Sequence, residues 1–325
     1  MSPLELRALA RVGALLAAFV AASACAQGYP SAPLRIVVPY TPGGGTDILA
    51  RLLGARLGES WGQPVMVDNR AGANGTLGAA IVAKAPGDGY TLLMAPAGYA
   101  ANPALYKALP YDQTRELAGV SLLASGPLVL VVHPSLPAKS IAELIALARA
   151  RPGELNMGSA GNGSLPHLSG ELFMLLSGAR LEHIPYKGAS AAVADLLTGR
   201  TPVYFMNILQ CLQFVKAGKL RGLGVTTPAR SPIAPDLPAI AERLKGFDMT
   251  NWYGLFVPAT TPREIVARIN AEVTRILRLA ELKSRLADDG MTVVAGSADE
   301  FAGFVARETA KYERIIDAAG IKGSL

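Results

Sequence analysis

Short apolar runs and longer helical patterns alternate along this chain. Residues 34–38 form the first run, and the spacing of Ile48, Leu49, Leu52, Leu53 and Leu57 behind it predicts a helix over 47–60. A strand over 65–68, a loop over 69–75, a helix over 76–85 and a strand over 90–94 follow. Strands that alternate with helices of this length imply a parallel α/β sheet, whose ligands sit beyond the carboxyl ends of the strands. At residue 120 the pattern changes to two adjacent apolar strands, 120–124 and 128–132, parted by Ser125-Gly126-Pro127, where a domain crossing is placed.

A second α/β series begins at Ser140, which with Glu143 forms a capping box opening a helix to 150. Strands over 155–158, 181–184, 203–206 and 220–225 then alternate with helices over 166–176, 191–197 and 208–217. The strand 252–257 carries the chain back. Thr261 to Glu264 combines a capping box with Pro262 at the first helical position, and Ser297 to Glu300 opens the last helix. That helix presents Phe301, Phe304, Val305, Tyr312, Ile315 and Ile316 for docking on the first domain. The division expected is a leader over 1–26, a first lobe of 27–126 plus 248–325, and a second lobe of 127–247.

With 325 residues, 50% hydrophobic and 17% charged, the chain is long enough for about two domains, each with its own core. Part of the apolar excess is the start of the chain: Arg7 and Arg11, an apolar run over 12–22, and the small-residue sites Ala22-Ser23-Ala24 and Ala24-Cys25-Ala26. That order reads as a secretory signal peptide and predicts an exported, periplasmic mature protein. Ala22 stands where a lipoprotein site expects a larger aliphatic residue, so ordinary cleavage is preferred to lipidation of Cys25. Cys211 has no other partner. His133, His167 and His183 show no paired-ligand spacing, so neither a metal nor another cofactor is expected. The net charge of +6 becomes +5 when Glu5, Arg7 and Arg11 leave with the leader. The basic residues are scattered, which excludes a nucleic-acid stripe and fits solubility and a general attraction for anions.

The candidate chemistry lies in two glycine loops. Pro42-Gly43-Gly44-Gly45-Thr46-Asp47 joins the first strand to the first helix, and Ser159-Ala160-Gly161-Asn162-Gly163-Ser164 repeats that arrangement in the second series. Backbone N–H groups at the positive end of a helix suit an anion, and glycine lets the ligand approach them. Neither G-x-x-x-x-G-K-[ST] nor G-x-G-x-x-G is present, so a carboxylate is favoured over a nucleotide. If the two helix ends face one cleft, four or five charge-assisted bonds leave about 8 kcal/mol after association costs, the micromolar range.

At these motifs the sequence resembles the substrate-binding receptors of tripartite tricarboxylate transporters, the Bug family. The resemblance is carried by residues 42–47, Asp88-Gly89-Tyr90-Thr91-Leu92-Leu93, Gly161-Asn162-Gly163-Ser164 with His167, Ile184-Pro185-Tyr186-Lys187-Gly188, residues 217–221 and Trp252-Tyr253-Gly254-Leu255. It implies a two-lobed periplasmic binding protein fold, type II-like, each lobe a mostly parallel sheet flanked by helices. It further implies a monomeric receptor, not an enzyme, that binds a small organic acid: a di- or tricarboxylate, an acidic amino acid or an aromatic carboxylate. Transporter subunits or a sensor are the implied partners, and the two glycine loops the implied grip on one carboxylate.

Single residues carry two readings each. Asp47 either complements its helix dipole or bonds a ligand hydroxyl or ammonium, and His167 either packs or touches ligand. Asn74, Ala97 to Asn102 and Asn207 sit where strand-end loops reach the ligand; Tyr186 and Lys187 are read as lining the cleft, with a solvated Lys187 as the alternative, and Arg70 is read as a solvated loop arginine near the cleft edge. Phe205-Met206-Asn207 stands where family members often have Phe-Asp-Asn; facing the cleft, Met206 would favour ligands with an apolar body, and facing inward it is only repacking. The competing class is an exported hydrolase, but no G-x-S-x-G elbow is present.

Overall fold

The computed structural model describes residues 28–288 and 290–325; the leader, its cleavage sites and Cys25 lie outside the described residues. In chain order the elements are β1 (Leu34–Val38), α1 (Gly45–Trp61), β2 (Val65–Asn69), α2 (Thr76–Ala83), β3 (Thr91–Pro96), α3 (Asn102–Leu105), α4 (Gln113–Glu116) and β4 (Leu117–Gly126). The chain then runs through β5 (Leu128–Val132), α5 (Ile141–Ala150), β6 (Asn156–Ser159), α6 (Leu165–Ser177), β7 (Glu182–Pro185), α7 (Ala189–Leu197), β8 (Val203–Asn207), α8 (Ile208–Lys216) and β9 (Arg221–Val225). It returns through β10 (Asn251–Pro258), α9 (Arg263–Leu277), α10 (Ala280–Asp288), β11 (Thr292–Val293) and α11 (Ala298–Ala318).

Two sheets result, ordered β11-β4-β10-β3-β1-β2 and β7-β6-β8-β5-β9. In the first, β1, β2, β3 and β4 run one way and β10 and β11 the other. In the second, only β5 is reversed. This is the two-lobed α/β architecture, with antiparallel strands where the chain enters and leaves each sheet. β4 and β5 are parted by Pro127 alone yet belong to different sheets, and Thr226 ties the crossing: its N–H donates to Leu128 O at 2.9 Å, its hydroxyl accepts Leu128 N–H at 2.8 Å and its carbonyl accepts Met249 N–H at 3.0 Å.

The parallel strands put their carboxyl ends together. Residues 39–45 follow β1, residues 70–75 follow β2 and Ala97 follows β3, while residues 160–164, residues 186–188 and Ile208 follow β6, β7 and β8. Behind them the largest core cluster runs through both sheets, from Val37 and Leu93 to Leu130 and Phe205, and takes in Trp252, Phe301 and Tyr312. Trp252 stacks edge-on against Phe301 and Phe304 and donates its indole N–H to the buried Glu308 at 3.1 Å. A buried indole needs such an acceptor.

Two expectations are corrected here. The helix expected to be capped by Thr261 begins one residue later, with Pro262 as its cap, and the Thr261 hydroxyl is buried without a hydrogen-bond partner. Met206 does not face a cleft. Along β8 the side chains alternate, so Val203 and Phe205 join the large cluster while Tyr204 and Met206 enter a separate one with Val129, Val131 and Cys211. Met206 is fully buried there, and the reading that it selects ligands with an apolar body is withdrawn. Met206→Asp is expected to destabilise the protein by at least about 3 kcal/mol, because the new carboxyl has no partner in an apolar layer. Denaturant unfolding checks this; an unchanged midpoint would place the side chain elsewhere.

Candidate functional site

The first glycine loop is exposed from Thr41 to Gly45, whereas Thr46 and Asp47 are buried. Helix α1 is capped by the extended residue Gly44 (φ −79°), and no side chain caps its amides. Its first i→i−4 bond runs from Ile48 N–H to Gly44 O, so the amides of Gly45, Thr46 and Asp47 stand ahead of the ladder. Asp47 instead reaches backward. One carboxylate oxygen accepts Gly43 N–H at 2.9 Å and Arg51 Nε at 3.1 Å; the other accepts Asn69 Nδ2 at 3.0 Å and lies 3.0 Å from the Arg51 guanidinium. Burial pushes this carboxyl up, but the bonds from Arg51, Gly43 and Asn69 outweigh it and hold its pKa below the usual carboxylate value. Asp47 therefore holds the loop with a carboxylate whose acceptor sites are already used, and Gly43 N–H is spent on it.

Gly45 is required for a further reason. A Cβ there would run into the Tyr253 hydroxyl, which reaches up from β10 and also receives Asn251 Nδ2 at 3.3 Å. A side chain at Gly44, by contrast, would meet nothing nearer than Thr41 O at 3.9 Å.

Residues 72–75 all have positive φ, from 48° at Ala73 and Asn74 to 142° at Gly72. Ala73 and Asn74 pay strain of about 1 kcal/mol or more each in this region. The turn aims Asn74 inward. Its amide nitrogen bonds Asn102 Oδ1 at 2.9 Å and Gly163 O at 3.3 Å, and its amide oxygen lies 3.2 Å from the Tyr40 hydroxyl. Gly163 belongs to the second loop, so Asn74 links the two sheets' loops directly. Ala97 is fully buried and offers backbone alone; its neighbour Gly98 sits under the same contact, since a Cβ there would lie 3.4 Å from Gly163 O.

The second loop is more fully bonded internally than the first. Gly161 N–H donates to Ser159 Oγ at 3.1 Å, Ser164 N–H to Gly161 O at 3.1 Å and Gly163 N–H to His167 Nδ1 at 3.1 Å. The amides of Ala160 and Asn162 remain. His167 is buried, its other nitrogen 3.3 Å from Glu171, so the expectation of a direct ligand contact from its ring is corrected: both nitrogens serve the protein. His183, absent from the candidates read in the sequence, stacks on His167 with centroids 3.8 Å apart and bonds Ser159 Oγ at 2.6 Å. Tyr186 likewise turns away: its hydroxyl donates to Asp195 at 2.7 Å while its backbone N–H supports Ser159 O. Lys187 is exposed beside the loop, and Arg70 is held by Asp68 at 3.0 Å. Asn207 ends β8, half-buried.

Arg51 was legible as the i+4 partner of Asp47. Asn102 lies in the strand-end loop read from the sequence, whereas the roles of Asn69, His183 and Tyr253, which come from other elements, carry no local signal. Cavities of about 520 Å³ beside Tyr106 and about 490 Å³ between Leu176 and Arg314 lie away from both loops. Among the described residues no cluster of His, Cys, Asp and Glu could hold a metal ion, and no helix is long and apolar enough to cross a membrane.

Two sheets with glycine loops at neighbouring strand ends make the two-lobed fold seen in the periplasmic binding protein BugD, and other solved structures with this fold superpose on the chain. The Rhodopseudomonas palustris protein Rpa4515, determined with adipate, is 38% identical with a TM-score of 0.85 over 90% of this chain and 99% of its own. MatC from the same organism, with bound malate, is 32% identical with a TM-score of 0.81 over 89% of this chain and 100% of its own. In sequence, protein BugT of Bordetella pertussis is 37% identical over 97% of this chain and 98% of its own length. Residues 49–321 match the model of the tripartite tricarboxylate transporter family receptor, and the chain belongs to that family.

Asp47→Asn is expected to lower stability at pH 7 by about 1 to 3 kcal/mol, since a neutral amide cannot accept all four bonds. The native carboxyl titrates below its unfolded value, so its contribution is present above about pH 4 and is lost as pH falls through the lower folded pKa. The gap between variant and native protein, followed by denaturant unfolding, should narrow in acid; a constant gap would contradict this.

Proposed function

We propose that this protein is an extracytoplasmic solute receptor that closes two lobes on a small organic carboxylate and delivers it to transporter subunits or a sensor. The observation that carries the reading is the end of α1: amides at residues 44–47, uncapped by any side chain, exposed around Gly44, at the positive end of a seventeen-residue helix. Its own anion, Asp47, is turned back and neutralised by Arg51, so it does not repel an incoming carboxylate. Relatives of known structure that hold adipate and malate support the ligand class.

In this reading residues 27–126 plus 248–325 form the first lobe and 127–247 the second. Residues 42–46 take the carboxylate, Ser159 to Ser164 close over it through the amides of Ala160 and Asn162, and Asn74, Ala97 and Asn207 complete the wall. Lys187 serves a second acidic group at the rim. Residues 1–26 direct export to the periplasm and are removed, and the mature protein works as a monomer.

An enzyme reading would rest on the hydrogen bond between Ser159 and His183. Ser159 is fully buried and shares its hydroxyl with Gly161, while His183 stacks on His167; both serve the loop's shape better than attack on a substrate.

Gly44→Val is expected to weaken binding of adipate or malate by more than about 2 kcal/mol, because a side chain there blocks close approach to the amides. The fold should be kept, since φ at Gly44 is −79° and the added atoms point into open space. Calorimetry showing equal affinity would move the site away from this loop.

A further inference from the structure

The first and second loops are held by one device. Helix α1 is capped by Gly44 and helix α6 by Ser164; in each, the side chain three residues into the helix reaches back to the amide just before the cap. At α1 this is Asp47 to Gly43 N–H, and at α6 it is His167 to Gly163 N–H. The first acceptor is a carboxylate. The second is an imidazole nitrogen, which accepts only while it carries no proton.

The bonding around His167 defines its state. Nδ1 accepts Gly163 N–H, so the ring proton sits on Nε2, 3.3 Å from Glu171 Oε1. The titratable side chains meeting the ring are Glu171 from its own helix and His183 from β7. Burial, and then the neighbouring His167, push the His183 imidazole down to about 3, so that ring remains an uncharged plate against which His167 lies. Nδ1 fixes one side of residue 163. With φ at +77°, the carbonyl on the other side meets Asn74 in the first lobe at 3.3 Å.

We infer that His167 is a positioning residue, backed by His183, whose neutral Nε2-protonated ring latches the second loop in the shape that meets Asn74 across the cleft. The inference rests on the proposal that this loop closes over the ligand. Loss of the Nδ1 acceptor frees the Gly163 peptide to swing and loosens the contact with Asn74.

Adipate and malate are the probes. Affinity is measured by calorimetry at pH 8 for the native protein, for His167→Asn, whose Oδ1 replaces the acceptor, and for His167→Phe, which keeps a stacking ring but no acceptor. At pH 8 the Asn variant should bind within about threefold of native and the Phe variant about tenfold more weakly. Native affinity in the Phe variant would overturn the latch, as would an Asn variant that binds as weakly as the Phe variant. Imidazole nitrogen shifts of the ligand-free native protein give a reading independent of ligand and of variant folding: a bare Nδ1 at pH 8 upholds the latch and a protonated one refutes it. If neither acid binds the native protein, the proposed ligand class fails, and these shifts alone decide the latch.

Discussion

Both cleft loops depend on a side chain that turns back from the first turn of a helix to hold the amide ahead of it. Without that bond a run of glycines has too many conformations to present its N–H groups in one direction, and ordering it would cost about 1 to 2 kcal/mol per residue on binding. Asp47 and His167 remove that cost in the unliganded protein. They do it with different charges. The Asp47 carboxylate is compensated by Arg51 and Asn69, whereas His167 needs no counterion while neutral, so neither helix end meets an anion with an uncompensated negative group.

The contact between loops rests on a strained turn. Asn74 lies in the left-handed region, and its side chain joins Tyr40, Asn102 and Gly163, elements that otherwise share no local sequence. Strain of this kind persists only where surrounding bonds over-determine it. Here they do, and the same bonds make the second loop's carbonyl part of the first lobe's polar network.

Much of the architecture was legible because strand and helix periods differ and the caps Ser140 and Ser297 mark helix starts, each accepting the expected amide. The failures have local causes. Thr261 and Pro262 compete for one boundary, and the proline took it. Met206 lies in a strand buried on both faces, where an apolar run does not say which face looks at the cleft. In the loops, glycine marks where backbone is exposed but not which amides are already used; that is decided by Asn69 and His183, which arrive from other elements. His183 stacks on a ring sixteen positions away, a pairing set by how β7 lies beside α6 and by no spacing in the chain.

Tyr253 belongs to β10, the strand through which the chain returns from one sheet to the other, and its hydroxyl fills the space that a side chain at residue 45 would need. Positions 45 and 253 are consequently a single choice. A larger residue at 45 therefore calls for a shifted or smaller side chain at 253, whereas position 44 carries no such steric coupling. The strand that carries the chain between the two sheets thus also supports the first glycine loop from below.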